Sequence, residues 1–348
     1  MRLVRAALAA VIAGAIGLGV LSMPATARSD PALPPVSAED LVASVLTAKP
    51  PAFGGTVKVD NALGLPALPL PTGIATVLTQ PVTTFRVWSD GQGRGRLALP
   101  SRGGEQVLIE DGTTLWRYDS SSRTATAQEH GAAPAHQGPP VTDPAQAARE
   151  LVGAVRQNST LTVDGTGYVA GRPVYQLVLT PAPTERTLLR EVRVAVDLVM
   201  RVPLQFTVLT NGSADPALQI GFADLNVGAQ DPALFQFTPP AGVTVERLDP
   251  SKNGPKAGSP GRLKGAQGML RTQGDGWDTV VLGQLPRAGS DPQRDPLAMV
   301  QQIGRPVSGP WGNGWVMQTA VITVLVASDG RVAAGAVPQQ VLDEALAR

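Results

Sequence analysis

The feature that most constrains the fold is a series of five strand-forming stretches between residues 160 and 227. Their predicted bounds are 160–168, 173–180, 191–197, 204–211 and 218–227. Each is rich in β-branched and other apolar residues, as is typical of strands. Short turn-forming runs separate them, and such spacing favours antiparallel neighbours. The sequence therefore predicts an antiparallel meander within an α+β fold.

A second sheet-forming stretch, from Gly104 to Thr126, predicts a hairpin with large aromatic residues. Asp111-Gly112 can adopt the positive φ angles of a tight turn between strands. The alternation of side chains places Trp116 and Tyr118 on one side of the following strand. Two interpretations of these aromatics stay open: they pack in an ordinary core, or they line a binding site.

Two amphipathic helices are predicted. The first begins after Ser37, whose hydroxyl can cap it, and ends before Pro50-Pro51, because the residue before a proline disfavours helix. The second begins at Asp143-Pro144, with proline in the first helical position. Their apolar faces consist of Leu41, Val42, Val45 and Leu46 in the first helix, and Ala148, Leu151, Val152 and Val155 in the second. Both helices need an apolar surface to cover.

An apolar, proline-rich segment at residues 61–71 has no simple assignment. Its prolines exclude a central strand. It could pack on the core, form a flap over the open side of the sheet, or touch a membrane with its tip. The sequence leaves these three alternatives open.

The N-terminus predicts export from the cytoplasm. Arg2 and Arg5 precede an apolar run at residues 8–21, and Ala25-Thr26-Ala27 supplies a cleavage site. We expect a signal peptide at 1–27; an uncleaved membrane anchor is the alternative, because the apolar run is near the lower limit for a span. The chain has no cysteine, which excludes both disulfides and a lipoprotein anchor through an acylated Cys.

The length of 348 residues suggests about two domains, and a hydrophobic fraction of 43% is enough for a buried core. Residues 251–268, rich in Gly, Pro and Lys, predict a linker. A small C-terminal α+β domain is expected at 269–348. The net charge of +1 gives no electrostatic footprint for nucleic acid.

No catalytic pattern stands out, so we expect no enzyme activity. The two histidines, His130 and His136, fall in a predicted polar loop, where a triad base or a metal ligand is not expected. The glycine-rich run at 309–315 lacks the Gly-Lys-Ser/Thr ending of a phosphate loop. No cofactor and no metal are predicted.

Three motifs, in order, resemble the carrier superfamily of LolA, LolB and RseB. Residues 111–119 (D-G-T-T-L-W-R-Y-D) are similar to the family's DGxTLWxY segment. Residues 175–181 (Y-Q-L-V-L-T-P) are similar to its FxLxP segment, and 235–245 (F-Q-F-T-P-P-A-G-V-T-V) to its closing FxFxPPxGVxV. Further pieces at 171–175 and 202–204 resemble exported two-domain relatives of high-GC Gram-positive bacteria, and 269–348 is reminiscent of the small second domain of RseB.

The resemblance implies a strongly curved, unclosed antiparallel sheet, or half-barrel, covered by helices across residues 28–250. It also implies non-catalytic binding of a lipid or lipoprotein acyl chain between sheet and helices, in the cell envelope or outside the cell. The candidate cavity residues are Leu41, Val45, Phe53, Phe85, Val87, Leu97, Leu99, Trp116, Tyr118, Leu151, Val155, Tyr175 and Phe206.

The alternative function is that of an RseB-like envelope sensor that binds an anti-sigma factor or another membrane-anchored protein. The carriers have an arginine before the proline that corresponds to Pro81, and that arginine latches their helical lid. Gln80 takes its place here, and a neutral amide cannot make the same charge-assisted bonds. This difference favours the sensor, as does the two-domain layout.

Overall fold

The computed structural model describes residues 30–64, 79–101, 103–130, 144–248, 271–285 and 296–348. They form a twelve-stranded sheet and a six-stranded sheet. The predicted signal peptide, the linker 251–268, His136 and residues 65–71 of the apolar segment lie outside the described residues. So does Asp143, the expected cap of the second helix.

The large sheet contains two series of consecutive antiparallel strands, β1 to β6 and β7 to β11. The two series join where β1 pairs with β11. Its strand order is β12-β6-β5-β4-β3-β2-β1-β11-β10-β9-β8-β7, and only β12 is parallel to its neighbour. The strands are β1 (Phe53–Asn61), β2 (Val82–Ser89), β3 (Gly95–Ser101), β4 (Gly104–Glu110), β5 (Thr114–Asp119), β6 (Thr124–Glu129), β7 (Ser159–Val169), β8 (Arg172–Pro181), β9 (Leu189–Asp197), β10 (Pro203–Thr210), β11 (Leu218–Val227) and β12 (Thr244–Leu248). The predicted curved, unclosed antiparallel sheet is confirmed.

Two helices cover one side of this sheet, which we call the helix face. They are α1 (Ala38–Thr47) and α2 (Pro144–Val155). Ser37 caps α1 as predicted, because its hydroxyl oxygen accepts a hydrogen bond from the Asp40 N–H at 3.0 Å. Val42 and Val152 pack with Leu161 of β7 in one core cluster. The helices thus bury the apolar side chains of β7 to β9.

The opposite side, which we call the outer face, is covered over β2 to β5 by the segment 228–243. This segment contains a 3₁₀ turn, Pro232–Phe235, whose Phe235 is 1% exposed. Phe237 lies against Trp116 and Tyr118, with ring centroids 5.2 and 5.5 Å apart. The two aromatics of the hairpin are therefore partly covered by a segment more than one hundred residues later in the sequence.

The second sheet has the order β13-β14-β18-β17-β16-β15 and is packed against the C-terminal helix. Its elements are β13 (Arg271–Gln273), β14 (Val280–Gln284), α3 (Pro296–Ile303), β15 (Arg305–Gly309), β16 (Gly312–Gln318), β17 (Thr323–Ala327), β18 (Arg331–Gly335) and α4 (Gln339–Leu346). The sequence predicts one strand over 317–327, but a turn at Thr319 breaks it, because its hydroxyl accepts from the Val321 and Ile322 N–H groups.

Hydrogen bonds join the two sheets. The Glu185 carboxylate accepts from the N–H groups of Trp277 and Asp278 at 2.6 and 3.1 Å. The Trp277 indole donates to the Ser159 hydroxyl at 2.7 Å. The Leu188 N–H donates to the carbonyl of residue 336 at 2.8 Å. The second unit is thereby held against the β7–β9 side of the large sheet.

Candidate functional site

An apolar cavity of about 300 Å³ lies on the helix face, between the end of α1 and the strands β1, β10 and β11. We call it the main cavity. Its size is at the lower end of the range for small-molecule sites. It is lined by Val45, Ala48, Pro50, Pro51, Phe53, Met200, Arg201, Val202, Pro203, Leu204, Phe222 and Leu225.

The main cavity opens where β10 and β11 stop pairing. β10 pairs with β11 only over 205–208 and 218–221, whereas β1 pairs with β11 along its whole length. Residues 222–227 of β11 therefore have no β10 neighbour. The Phe222 ring lies over Gly55 of β1, where a Cβ would come within 2.9 Å of it, and meets Phe53 edge to face, with ring centroids 5.9 Å apart. The gap in strand pairing leaves room that side chains do not fill.

One wall of the main cavity is the turn between β9 and β10, and a buried ion pair holds it in shape. The Asp197 side chain is fully buried. Its carboxylate accepts from the Arg172 guanidinium at 2.5 and 3.1 Å, and from the N–H groups of Val199 and Met200 at 2.8 and 2.6 Å. Four donors thus fix the turn that presents Met200 to the cavity.

The electrostatics of this pair favour the charged forms. Burial raises the pKa of Asp197, but the hydrogen bonds from Arg172, Met200 and Val199 outweigh burial, so its pKa lies below the usual value. The hydrogen bond to Asp197 raises the pKa of Arg172 in turn. The turn is therefore held by an ion pair throughout the physiological pH range.

Among the residues that the structure describes, Arg201 is the only charged side chain that lines the main cavity. Its guanidinium carbon lies 5.2 Å from the centroid of the Tyr175 ring. Its Nη1 atom is buried and has no hydrogen-bond partner within the described ranges. A cation in an otherwise apolar cavity is the group that could orient a ligand.

A second cavity, of about 400 Å³, adjoins the tip of the β2–β3 hairpin, and we call it the side cavity. Pro50 and Phe53 line both cavities. The other residues that line it are Val87, Trp88, Ser89, Gly93, Arg94, Gly95, Arg96, Leu97, Leu108, Glu110 and Leu115. Together the two cavities flank Phe53 on the helix face, and we call the pair the Phe53 cleft.

The thirteen candidate residues fall into four groups. Four line the cleft: Val45, Phe53, Val87 and Leu97. Six pack in core clusters of the helix face: Leu41, Phe85, Leu99, Leu151, Val155 and Tyr175. Phe206 faces the same side as its neighbours Val194 and Ile220 but lines neither cavity. Trp116 and Tyr118 lie on the outer face against Phe237.

The placement of Trp116 and Tyr118 corrects the expectation that they line the helix-covered space. Trp116 pairs with Ile109 of β4, so these two side chains lie on the same face of the sheet. The cavity residue Leu108 is the neighbour of Ile109 in β4, and its side chain therefore lies on the opposite face. Phe237 of the segment 228–243 covers part of their aromatic surface, and both residues stay partly exposed. They belong to the outer face and not to the cleft.

Several cleft residues were missed from the sequence, above all those of the 200–204 turn and Phe222. One signal could have indicated the turn. The run Leu198-Val199-Met200 is apolar, although turns between strands are usually polar. Such a run needs an apolar surface nearby, and here Met200 and Val202 find it in the main cavity.

The outer face carries a different kind of site over β7 to β11. A polar groove of about 640 Å³ crosses these five strands, and we call it the outer groove. It is lined by Asp30, Asp164, Gly165, Thr166, Gln176, Arg190, Glu191, Arg193, Gln205, Thr207, Leu209, Ala214, Pro216 and Gln219. Both signs of charge are present, so it is suited to polar contacts.

In the described part of the chain, no three His, Asp or Glu side chains come together in a way that could hold a metal ion. The predicted loop histidine His130 follows β6 directly and contacts the Glu110 carboxylate at 3.0 Å. None of the described helices is long and apolar enough to cross a membrane.

Comparisons with solved structures return proteins of one fold. MucB in complex with MucA(peri) is 16% identical, with a TM-score of 0.46, over 89% of this chain and 97% of that one. MucB from the Pseudomonas aeruginosa MucA/MucB complex is 18% identical, with a TM-score of 0.43, over 89% and 96%. A LolA-superfamily protein from Nitrosomonas europaea is 11% identical, with a TM-score of 0.25, over 58% and 99%.

The fold resembles the one that the LolA, LolB and RseB motifs imply. The unclosed sheet and the helices on one face are the features that the three sequence motifs imply. At these identities and TM-scores the likeness concerns the fold alone. No protein-family model matches the sequence, and no curated protein matches it. The function has to be argued from the cleft itself.

Proposed function

We propose that the protein binds an acyl chain of a lipid or lipoprotein in the Phe53 cleft, without catalysis, in the cell envelope or outside the cell. The observation that carries this proposal is the shape of the cleft: two cavities of about 300 and 400 Å³ share Pro50 and Phe53 as walls. The walls of the main cavity are apolar except for Arg201. A long, narrow apolar ligand suits two adjoining cavities of this size.

The energy available from such a ligand is sufficient for binding. Burial of an alkyl chain contributes about 0.8 kcal/mol per methylene. About ten buried methylenes therefore contribute about 8 kcal/mol, which corresponds to about micromolar affinity before the costs of association. No polar anchor is needed for this energy, and the absence of a sharp sequence motif for the ligand follows from that.

The test fills the main cavity with a side chain. Ala48 lines the cavity at the end of α1 and is only partly exposed. We expect Ala48→Trp to weaken binding of dodecanoate at least tenfold, measured by calorimetry on delipidated protein. Thr47→Trp is the matched control, because Thr47 is exposed and lines neither cavity. Equal affinities in Ala48→Trp and Thr47→Trp would refute the proposed location.

A parallel substitution tests the side cavity. A Cβ at Gly95 would meet only the Trp88 carbonyl, at 3.5 Å, so a larger residue is tolerated there. We expect Gly95→Leu to weaken binding of octadecanoate more than that of dodecanoate, because only the longer chain needs both cavities. If neither chain length binds more weakly in Gly95→Leu, the ligand does not extend past Phe53.

A second candidate function is binding of a membrane-anchored protein partner, and the outer groove favours it. A groove lined by Glu191, Arg193 and Gln205 offers hydrogen bonds to a peptide, and it lies apart from the Phe53 cleft. Cross-linking in membranes of the native host distinguishes the two functions. A partner that is lost in Thr207→Trp but retained in Ala48→Trp would support this second function.

A further inference from the structure

The feature that the proposed function leaves unexplained is the state of Arg201. Its Nη1 atom is buried, and none of the described residues accepts a hydrogen bond from it. A buried charged donor without an acceptor is costly, and such groups are rare in folded proteins. The remaining lining of the main cavity, from Val45 to Leu225, contains no other charged side chain.

The nearest carboxylate in the turn cannot serve as that acceptor. Asp197 already receives hydrogen bonds from Arg172, Val199 and Met200. Only its backbone carbonyl meets Arg201, by accepting from the Arg201 N–H at 3.2 Å. Arg172 is thus paired with this carboxylate, whereas the Nη1 atom of Arg201, a residue of the cavity wall, has no acceptor among the described residues.

The position of Arg201 is fixed by the fold. Its backbone has a φ of 56°, a conformation that side-chain-bearing residues rarely adopt. Its guanidinium packs on Tyr175, which is 3% exposed and donates from its hydroxyl to the Pro34 carbonyl at 2.9 Å. Packing on an aromatic ring orients a guanidinium. Arg201 is therefore held in place and does not sample solvent freely.

We propose that Arg201 binds the anionic oxygen headgroup of a single-chain amphiphile whose alkyl chain lies in the main cavity. The ligand class is a fatty acid carboxylate or a lipid phosphate, since the guanidinium fork fits the oxygens of both. This inference rests on the proposed function and adds the headgroup to it. The acyl chain supplies affinity, and Arg201 selects the charge and sets the direction in which the chain enters.

The test compares four ligands with the same twelve-carbon chain: dodecanoate, dodecyl phosphate, dodecanol and dodecyltrimethylammonium. Each is titrated below its critical micelle concentration into the delipidated full-length protein. A charge-assisted hydrogen bond predicts that at least one anion binds about ten- to a hundredfold more tightly than dodecanol. We expect the cation to bind most weakly. The order of the two anions tells a carboxylate ligand from a phosphate ligand.

Two variants locate the selectivity. Arg201→Gln should bring the affinity for the preferred anion down to that for dodecanol, with dodecanol binding unchanged. Arg149→Gln is the control, because Arg149 is exposed on α2 and lines neither cavity of the Phe53 cleft. Loss of anion preference in Arg149→Gln as well would show a general charge effect and overturn the role of Arg201.

The comparison of the four ligands on the wild-type protein does not depend on whether a variant folds. If all four ligands bind with equal affinity, the headgroup inference is wrong and the acyl-binding proposal stands. If none of the four binds, both are wrong. The two failures are therefore distinct.

Discussion

The ion pair of Arg172 with Asp197 gives the sharpest test of how the main cavity is built. Arg172→Met keeps much of the apolar stem but leaves a carboxylate in a fully buried position without its counter-charge. Removal of one partner of a buried pair costs about 3–5 kcal/mol. Because the N–H groups of Val199 and Met200 still bind the carboxylate, we expect the lower end, about 3 kcal/mol.

Calorimetry on the full-length protein is the assay. For a folding unit of about 150–250 residues, about 1 kcal/mol shifts Tm by about 2–4 °C, so Arg172→Met should lower Tm by about 6–12 °C. Arg193→Met is the matched control, since its pair with Glu191 is much more exposed and contributes at most about 1 kcal/mol. If Arg172→Met and Arg193→Met lower Tm equally, the Asp197 network does not stabilise the turn.

The same pair predicts a pH dependence. The folded-state pKa of Asp197 lies below its unfolded value of about 3.9. Its contribution to stability is therefore complete above about pH 4 and is lost as the pH falls through the folded-state pKa. The difference in Tm between the wild type and Arg172→Met should be constant from pH 5 to 7 and shrink below pH 4. A difference that grows in acid would contradict this account.

Three further predictions concern other parts of the molecule. Glu185→Ala removes the hydrogen-bond acceptor at the junction of the two sheets, and it should lower the free energy of unfolding by about 1–3 kcal/mol in urea titrations. Arg186→Ala is the control and should have a much smaller effect, because Arg186 belongs to an exposed ion pair. Asp119, whose pKa is lowered to about 2 by hydrogen bonds from Ser121 and Gln106, should titrate in NMR near that value; a midpoint near 4 would refute those bonds. Phe235→Ala should destabilise the protein by about 3–5 kcal/mol but leave dodecanoate affinity unchanged, and a loss of affinity would mean that the outer face contributes to binding.

Local patterns were sufficient to predict the five strands of the meander, the hairpin and the two helices that cover the large sheet. The strand from Leu218 to Val227 has the predicted bounds, and the first helix begins after its predicted cap, Ser37. These features depend on alternation, turn residues and capping, which act over a few residues. The break at Thr319 was not predicted, because the apolar residues that follow indicate a continuous strand. The Thr319 hydroxyl nevertheless accepts a hydrogen bond that closes a turn.

The faces of the strands could not be predicted in the same way. Alternation separates Trp116 from Leu115, but it does not say which of them faces the helices. The answer depends on Phe235 and Phe237, which cover the outer face from a segment far along the chain. An aromatic residue in a strand therefore indicates burial, and only the tertiary structure tells in which layer it is buried.

The main cavity was also beyond local prediction, because it results from where strand pairing stops. Pro203 has no N–H to extend the pairing of β10, and Pro50 and Pro51 likewise cannot donate from the opposite wall. Three prolines thus allow backbone to border an apolar space without leaving buried N–H groups unpaired. Arg201 borders this space, and its Nη1 atom has no acceptor among the described residues. Under our proposal, the headgroup oxygen of a ligand is the expected partner for that arginine.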